Sequence, residues 1–167
     1  MGFASMKILS LWEPWGSFMA LGYKKWETRS WSTSYRGLLA IHVAKNKTAI
    51  KDGTPEELAE DILEDAGVKI EIPRNWPLGS IIAVVDLFDC VKTELAKPEP
   101  MEAILGNYMP KRFAWQTRNL RLVKPYPFTG MQGLKPLPEE VEKALEYLAP
   151  GVMAPASSVE PVQRMLL

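Results

Sequence analysis

The chain has 167 residues, of which 47% are hydrophobic, and its 20 basic and 20 acidic side chains give a formal net charge of zero. This length fits one domain, or one domain with a tail, that buries a core of its own. No apolar run approaches the roughly 20 residues of a membrane-spanning helix, and no secretory signal is recognised, so we predict a cytoplasmic protein without a membrane partner.

Cysteine and histidine counts limit the chemistry. Cys90 is the only cysteine and His42 the only histidine. One cysteine excludes an internal disulfide, and the two counts together exclude a zinc site built from thiolates and imidazoles. Only a site of carboxylate oxygens stays open, and we predict neither a bound metal nor a cofactor.

The charges are unevenly distributed along the chain. Residues 1–52 hold eight basic and three acidic side chains, residues 53–73 hold one and seven, and residues 97–135 hold seven and two. A net charge of zero argues against nucleic-acid binding. If the two basic segments meet in space, however, they would form a face that attracts phosphate. Charge counts alone do not say whether the segments meet.

The N-terminal elements are predicted to be a short apolar strand, a helix and a second strand. Pro14 suits the first position of the helix, Gly22 suits its end, and the second strand begins near Trp26. Because Trp12 adjoins the apolar strand, we expect it in the core rather than on a ligand-binding surface.

Alternation along the second strand places Glu27, Arg29 and Trp31 on one face, with Lys24 in the preceding turn. This face has two interpretations. It is a solvated salt bridge beside a ring, or the floor of a pocket for a flat, polar, anionic ligand. The ion pair alone favours the salt bridge, since surface pairs are common and contribute little.

Two further strands are predicted to lie inside the sheet. Residues 38–44 and residues 80–91 are apolar on both faces. His42 in the first strand is more often a buried, hydrogen-bonded residue than a catalyst. Asp86 in the second strand needs a partner if buried. The candidate partners are Lys24, Arg29 and Arg36.

Helix signals occur in the middle and near the end of the chain. Thr54 to Glu57 form a capping box, and Gly67 is predicted to end that helix. Pro138 is predicted to open a last helix with an apolar stripe. We assign residues 1–148 to one domain and residues 149–167, rich in Ala, Pro and Ser, to a flexible tail.

The segment 111–123 is predicted to be a strand in which basic residues alternate with aromatic ones. That pattern suits nucleic-acid binding, and it suits equally a half-buried strand with a basic solvent face. Residues 125–134 contain two prolines and are predicted to form an edge strand. Together the elements predict an α+β domain around a small, strongly curved sheet or barrel.

Several kinds of site are absent from the sequence. With one histidine inside an apolar strand, neither a Ser-His-Asp nor a Cys-His arrangement is predicted, and no phosphate-binding glycine loop follows a strand. The remaining polar set could hold a nucleobase, with Glu27 accepting from a base N–H and Lys24 and Arg29 binding phosphate or carbonyl oxygens. The residues behind this set are Trp12, Trp15, Trp31, Tyr35, Arg36 and His42.

The motif Gly22-x-Lys24-x-x-Glu27-x-Arg29 resembles the signature of the ASCH (activating signal cointegrator homology) family, which is related to PUA domains. The resemblance is strongest to the coactivator-type version of the domain and covers roughly residues 6–135. It implies a PUA-like β-barrel with a cleft beside the signature, and a role in binding RNA or DNA. The other matching motifs are Trp12-x-Pro14-Trp15, Arg29-Ser30-Trp31, Tyr35-Arg36-Gly37, Pro77-Leu78-Gly79 and Val85-Asp86-Leu87-x-Asp89-Cys90.

A small branch of that family hydrolyses the amide of acetylated cytidine with a Lys-x-x-Thr-x-Arg motif, whose threonine is the nucleophile. Here Lys24 and Arg29 match, but Glu27 stands at the threonine position. Thr28 does not substitute, because adjacent residues of a strand point to opposite faces. Glu27 could instead activate a water.

We therefore predict a nucleic-acid-binding module, for RNA before DNA, whose cleft takes a single-stranded or modified base. The predicted binding residues are Trp15, Lys24, Glu27, Arg29, Trp31, Tyr35, Arg36 and His42. The alternative is a small hydrolase acting on a modified nucleoside or RNA, with Lys24 and Glu27 as catalytic residues. A third interpretation assigns the apolar surface and the tail to a protein partner.

Overall fold

The computed structural model describes residues 5–45, 53–72 and 75–150, and within them the chain forms six strands and four helices. The strands are β1 (Lys7–Leu11), β2 (Trp26–Arg29), β3 (Gly37–Val43), β4 (Ser80–Lys92), β5 (Phe113–Pro127) and β6 (Lys135–Pro136). The helices are α1 (Trp15–Ala20), α2 (Pro55–Asp65), α3 (Pro100–Leu105) and α4 (Glu139–Ala144). The predicted α+β class is confirmed.

All six strands belong to one mixed sheet of order β2-β5-β4-β3-β1-β6. β1 and β3 are parallel and every other pairing is antiparallel. β2 and β6 are the two edges, and no pairing joins them in the described residues, so the predicted closure into a barrel is not confirmed. β4 pairs on both sides, as expected for a strand without a polar face.

Both faces of the sheet are apolar, because successive side chains of its central strands point alternately into two hydrophobic clusters. In β1, Leu9 and Leu11 pack in one cluster with Trp115 of β5, whereas Ile8 packs in the other. The second cluster includes Val141 and Leu145, from α4 and its C-terminal end. The sheet is therefore buried between two layers.

A third apolar cluster joins the other helices. Phe18 of α1, Ala59 and Leu63 of α2, and Leu105 of α3 are buried together. This contact places the start of β2, which follows α1, beside α3. Two segments that are far apart in the sequence thus meet at the edge of the sheet.

The residues predicted to start and end the first helix lie close to its observed ends. Pro14 is the residue before α1 rather than its first helical residue. Gly22 has a φ of 78°, and the amide N–H groups of Gly22 and Tyr23 donate to the carbonyls of Met19 and Phe18, which ends the helix in a Schellman motif.

In α2 the predicted capping box is confirmed. The Thr54 side chain accepts from the amide N–H of Glu57, whose carboxylate accepts from the amide N–H of Thr54. Gly67 follows the helix with a φ of 66°, a conformation that glycine adopts at little cost.

One prediction about the C-terminal half is wrong. β5 continues to Pro127, and residues 129–133 form a loop against the cleft described below, so 125–134 is not an edge strand. Of the two interpretations of segment 111–123, the fully buried Trp115 favours the half-buried strand. Asp86 accepts a hydrogen bond from Asn119 at 2.6 Å, and that bond involves none of the three candidate cations.

The last helix is shorter than predicted. α4 begins after Pro138, but Leu145 already has extended backbone and Ala144 is exposed. The predicted tail lies almost wholly in residues 151–167, outside the described part of the chain.

Candidate functional site

A cleft of about 1090 Å³ opens at the carboxyl end of β1. Its walls come from five places: the start of α1, the strand β2 and the residues after it, the end of β3, the connection from α3 to β5, and the loop 129–133. The charged residues in its lining are Lys24, Glu27, Arg29, Lys45 and Arg112. Four cations against one carboxylate make the cleft electropositive in a neutral protein.

Lys24 is buried at the wall of this cleft, with 2% of its surface exposed. Its ammonium group lies 3.2 Å from Glu27 Oε2 and 3.7 Å from Glu102 Oε1, and it also donates to the carbonyl oxygen of Trp26. A lysine with two carboxylates and a carbonyl around it is held in place rather than available to a phosphate.

Glu102 of α3 fixes the start of β2. Its two carboxylate oxygens accept from the amide N–H of Lys25 at 2.7 Å and from the amide N–H of Trp26 at 3.0 Å. Only 6% of Glu102 is exposed, so these bonds are sheltered from water. The sequence did not reveal this residue, although Pro100 followed by apolar residues at positions 101, 104 and 105 is a helix signal that could have located it.

Arg29 links β2 to β1. Its Nε lies 3.2 Å from Glu27 Oε1, and its Nη2 donates to the carbonyl oxygen of Ser10 at 3.0 Å. The predicted pair of Glu27 and Arg29 therefore exists, and it belongs to the cleft rather than to an open surface. Glu27 is paired with Arg29 through one oxygen and with Lys24 through the other.

The opposite wall is held by Arg112, which precedes β5. Its Nη2 donates to the carbonyl oxygen of Thr28 at 3.0 Å and its Nε donates to the carbonyl oxygen of Asn107 at 3.2 Å. The amide N–H of Asn107 in turn donates to Thr28 Oγ1 at 3.1 Å. Sequence reasoning missed Arg112 and Lys45 as cleft residues, because only the fold brings the two basic segments together.

Three tryptophans line the cleft. Trp12 is 48% exposed, so the prediction that it belongs to the core is wrong: β1 ends at Leu11, one residue before it. Trp15 is half-buried against the helix cluster. Trp31 is also half-buried and meets the ring of Trp115 edge to face at 4.6 Å.

Tyr35 and Arg36 lie outside the lining of the cleft. The Tyr35 hydroxyl donates to the carbonyl of Leu38 at 2.6 Å, and its ring packs beside Lys7. Arg36 donates to the carbonyl of Thr33 and lies 3.4 Å from Asp89. Their predicted binding role would need an interface wider than the cleft.

His42 lines the cleft but is almost fully buried, which confirms the prediction of a sheltered, hydrogen-bonded histidine. Its Nδ1 lies 2.9 Å from Ser10 Oγ, and its Nε2 lies 2.7 Å from the carbonyl oxygen of Phe128. Burial lowers the pKa of His42 below its ordinary value.

Two other buried acids lie close to the site. Burial raises the pKa of Glu13 to about 7, although its carboxylate accepts from both the amide and the hydroxyl of Ser17. Burial, followed by the nearby charges of Glu102 and Glu27, raises the pKa of Tyr108.

Among the residues that the structure describes, no group of three His, Cys, Asp or Glu side chains could hold a metal ion. Within the same ranges, no helix is both long and apolar enough to cross a bilayer.

Comparison with known proteins identifies the domain. The family model described as ASCH domain matches residues 9–132. Activating signal cointegrator 1 of Homo sapiens is 32% identical over 98 residues, which are 59% of this chain and 16% of that protein. The Mus musculus protein of the same name is 32% identical over 90 residues, covering 54% of this chain and 15% of its own length.

This chain therefore spans only about a sixth of these two relatives. Among solved structures, that of ASCH from Zymomonas mobilis superposes with a TM-score of 0.54 over 83% of this chain and 92% of that one. At 16% identity this likeness shows the fold alone. The matched residues run from within β1 into the loop after β5 and include every residue of the cleft lining except Gly133, and the chain belongs to the ASCH domain family.

Proposed function

We propose that the protein is a nucleic-acid-binding module whose cleft takes single-stranded RNA, with a base placed against the tryptophans. The ASCH family is associated with RNA binding, and the cleft supports such a role here. The observation that carries the proposal is the meeting of four cations and three tryptophans in one cleft of about 1090 Å³. That combination suits nucleotides, since rings stack on bases while cations bind phosphates.

The cations divide into two groups. Lys24 is buried among carboxylates, whereas Lys45 is exposed and Arg29 and Arg112 lie at the surface of the cleft. We assign the phosphate contacts to these last three residues. Lys24 acts instead by holding Glu27 at the wall, where a carboxylate oxygen can accept from a base N–H.

The exposed indole of Trp12 is the main stacking surface in this proposal. Nearly half of its surface is open to solvent, and it lies at the cleft rather than in the core. Stacking on a ring contributes about 1 to 3 kcal/mol per base and tolerates any base. The proposal therefore predicts affinity for unpaired strands and little for a duplex, whose bases are already stacked.

Fluorescence anisotropy with a labelled single-stranded RNA tests this proposal, with DNA of the same sequence and the RNA duplex as comparisons. Three phosphate contacts predict that the logarithm of affinity falls with the logarithm of salt concentration with a slope of about −2. Lys45→Ala is expected to weaken binding and to reduce that slope by about 0.7.

Arg36→Ala is the matched control, because it also removes one exposed cation but outside the cleft. We expect it to retain wild-type affinity. Equal losses of RNA affinity in the two variants would show that RNA contacts a surface wider than the cleft, as the sequence predicts. The cleft would then not be the main binding site. Absence of RNA binding by the wild-type protein would overturn the proposal.

A hydrolase acting on a modified nucleoside or RNA is the second candidate. It is favoured by one contact: Lys24 and Glu27 lie 3.2 Å apart at the cleft wall, which is the geometry of an acid and base pair. Mass spectrometry after incubation with acetylated cytidine, free and in RNA, tests it. Loss of the acetyl mass with the wild type but not with Glu27→Gln would establish turnover.

A further inference from the structure

A second polar pair lies in the cleft, apart from Lys24 and Glu27. Ser10 and His42 are direct partners on the parallel strands β1 and β3. Their side chains meet, with 2.9 Å between Ser10 Oγ and His42 Nδ1. Both residues line the cleft. This contact is not apparent from the sequence, because 31 residues separate the two and only the parallel pairing of β1 with β3 brings them together.

The other ring nitrogen sets the direction of the hydrogen bonds. His42 Nε2 lies 2.7 Å from the carbonyl oxygen of Phe128, which can only accept, so Nε2 must carry the proton. In the neutral imidazole, Nδ1 is then an acceptor, and the Ser10 hydroxyl donates to it. This is the order of groups in a nucleophile and base pair, with a backbone carbonyl as the third member that orients the base.

Two further features favour a catalytic role for Ser10 and His42. The loop residue Gly130 passes so close that a Cβ there would lie 2.6 Å from His42 Cε1 and 2.7 Å from Ser10 Oγ. The loop backbone therefore packs beside the pair and restricts rotation of both side chains, while Ser10 still lines the cleft. Arg29 donates to the carbonyl oxygen of Ser10, which holds a cation beside the backbone of the same residue.

The geometry points to Ser10 as a nucleophile activated by His42, which would give this chain an acyl-transfer activity on esters. Neither Ser10 nor His42 belongs to the ASCH signature. The favoured esters carry a phosphate on the alcohol side, because Arg29, Lys45 and Arg112 line the same cleft. This activity does not depend on RNA binding.

The reaction balances with water as the only other reactant. Ser10 Oγ forms a bond to the carbonyl carbon and its proton passes to His42 Nδ1, while the carbonyl oxygen takes the negative charge beside Arg29. Collapse breaks the bond to the alcohol, which takes the proton from His42. Water, activated by the same nitrogen, then releases the acid and restores Ser10.

Throughout these steps His42 Nε2–H stays bonded to Phe128. Because burial lowers the pKa of His42, the imidazole is neutral and able to accept a proton at pH 7. The rate of acylation is expected to fall only as pH drops through the lowered pKa of His42, which lies below the ordinary histidine value of about 6.5, since protonated His42 cannot act as a base.

A fluorophosphonate probe, which reacts with activated serines, tests the inference without nucleic acid. Peptide mapping by mass spectrometry is expected to find the probe on Ser10 and not on Ser34, an exposed serine outside the cleft. Ser10→Ala should lose the label and Ser34→Ala should keep it. The wild-type labelling rate should fall as pH is lowered from 7.5 through the pKa of His42, which lies below 6.5.

His42→Gln, if folded by circular dichroism, should also lose the label, but the pH profile of the wild type makes the test independent of that variant. Transfer of one acetyl group from 4-nitrophenyl acetate to Ser10 would support the same conclusion. Labelling of Ser10 no faster than of Ser34, or a rate that does not change with pH, would overturn it. RNA binding measured on the same sample shows separately whether the proposed function holds.

Discussion

Lys24 Nζ lies 3.2 Å from Glu27 Oε2, and both residues form the wall of the cleft. The lysine side chain is 1% exposed and that of Glu27 is 13% exposed. In the ASCH signature these two residues are separated by two residues, Lys25 and Trp26, the second of which begins β2. The structure shows why that spacing matters: it sets a buried cation against a carboxylate that is itself oriented by Arg29.

Replacing Lys24 by methionine removes the charge and keeps the length of the side chain. Glu27 and Glu102 would then share a buried site without their common cation, which is expected to lower the free energy of unfolding by about 3 to 5 kcal/mol. Lys25→Met is the matched control, because Lys25 is exposed, and its effect should stay below about 0.5 kcal/mol. Urea denaturation of both variants measures the difference, and similar losses would contradict a special role for Lys24.

Glu102→Ala tests how the start of β2 is held. The change leaves the buried amide N–H groups of Lys25 and Trp26 without their acceptor, at an expected cost of about 2 to 5 kcal/mol. Glu99 precedes the same helix without a side-chain capping bond and is exposed, so Glu99→Ala should cost less than about 1 kcal/mol. Thermal unfolding distinguishes the two, and an unaffected Glu102→Ala variant would show that α3 does not hold β2.

The raised pKa of Glu13 predicts that the free energy of unfolding depends on pH. Burial raises the pKa of its carboxyl group from 4.5 to about 7 in the folded protein. Between these values the folded state binds a proton that the unfolded state has lost, so this group's contribution to stability falls as pH rises from 4.5 to 7. The total loss is about 3 kcal/mol, and it is complete above pH 7.

Glu13→Gln keeps the shape and cannot ionise. The unfolding free energy of this variant minus that of the wild type is therefore expected to increase by about 3 kcal/mol from pH 4.5 to pH 8. Both proteins share every other titrating group, so the difference isolates Glu13. A difference that is constant with pH would mean that Glu13 is ionised in the folded protein near pH 5.

Local signals in the sequence predicted much of the fold. The capping box at Thr54 and the glycine at Gly22 act through their own neighbours, so they can be recognised without tertiary structure. Trp12 was misplaced because its position depends on where β1 ends, and element boundaries are set by packing more than by local pattern.

The candidate site was only partly predictable for the same reason. Lys24, Glu27 and Arg29 are near one another in the chain, and their contacts follow from strand alternation. Arg112 lines the cleft and Glu102 supports its wall, each from a segment more than 70 residues away, through contacts with Thr28 and Trp26 respectively. Such contacts arise from strand order and helix packing, which no short motif records.

The binding of single-stranded RNA in the cleft is the central claim, and the six tryptophan indole N–H resonances test it most directly. An NMR titration of the 15N-labelled protein with a short RNA should shift the indole signals of Trp12, Trp15 and Trp31, which line the cleft. Trp76 lies outside the lining and should keep its position. Shifts confined to Trp76, or no shift at saturating RNA, would contradict the account.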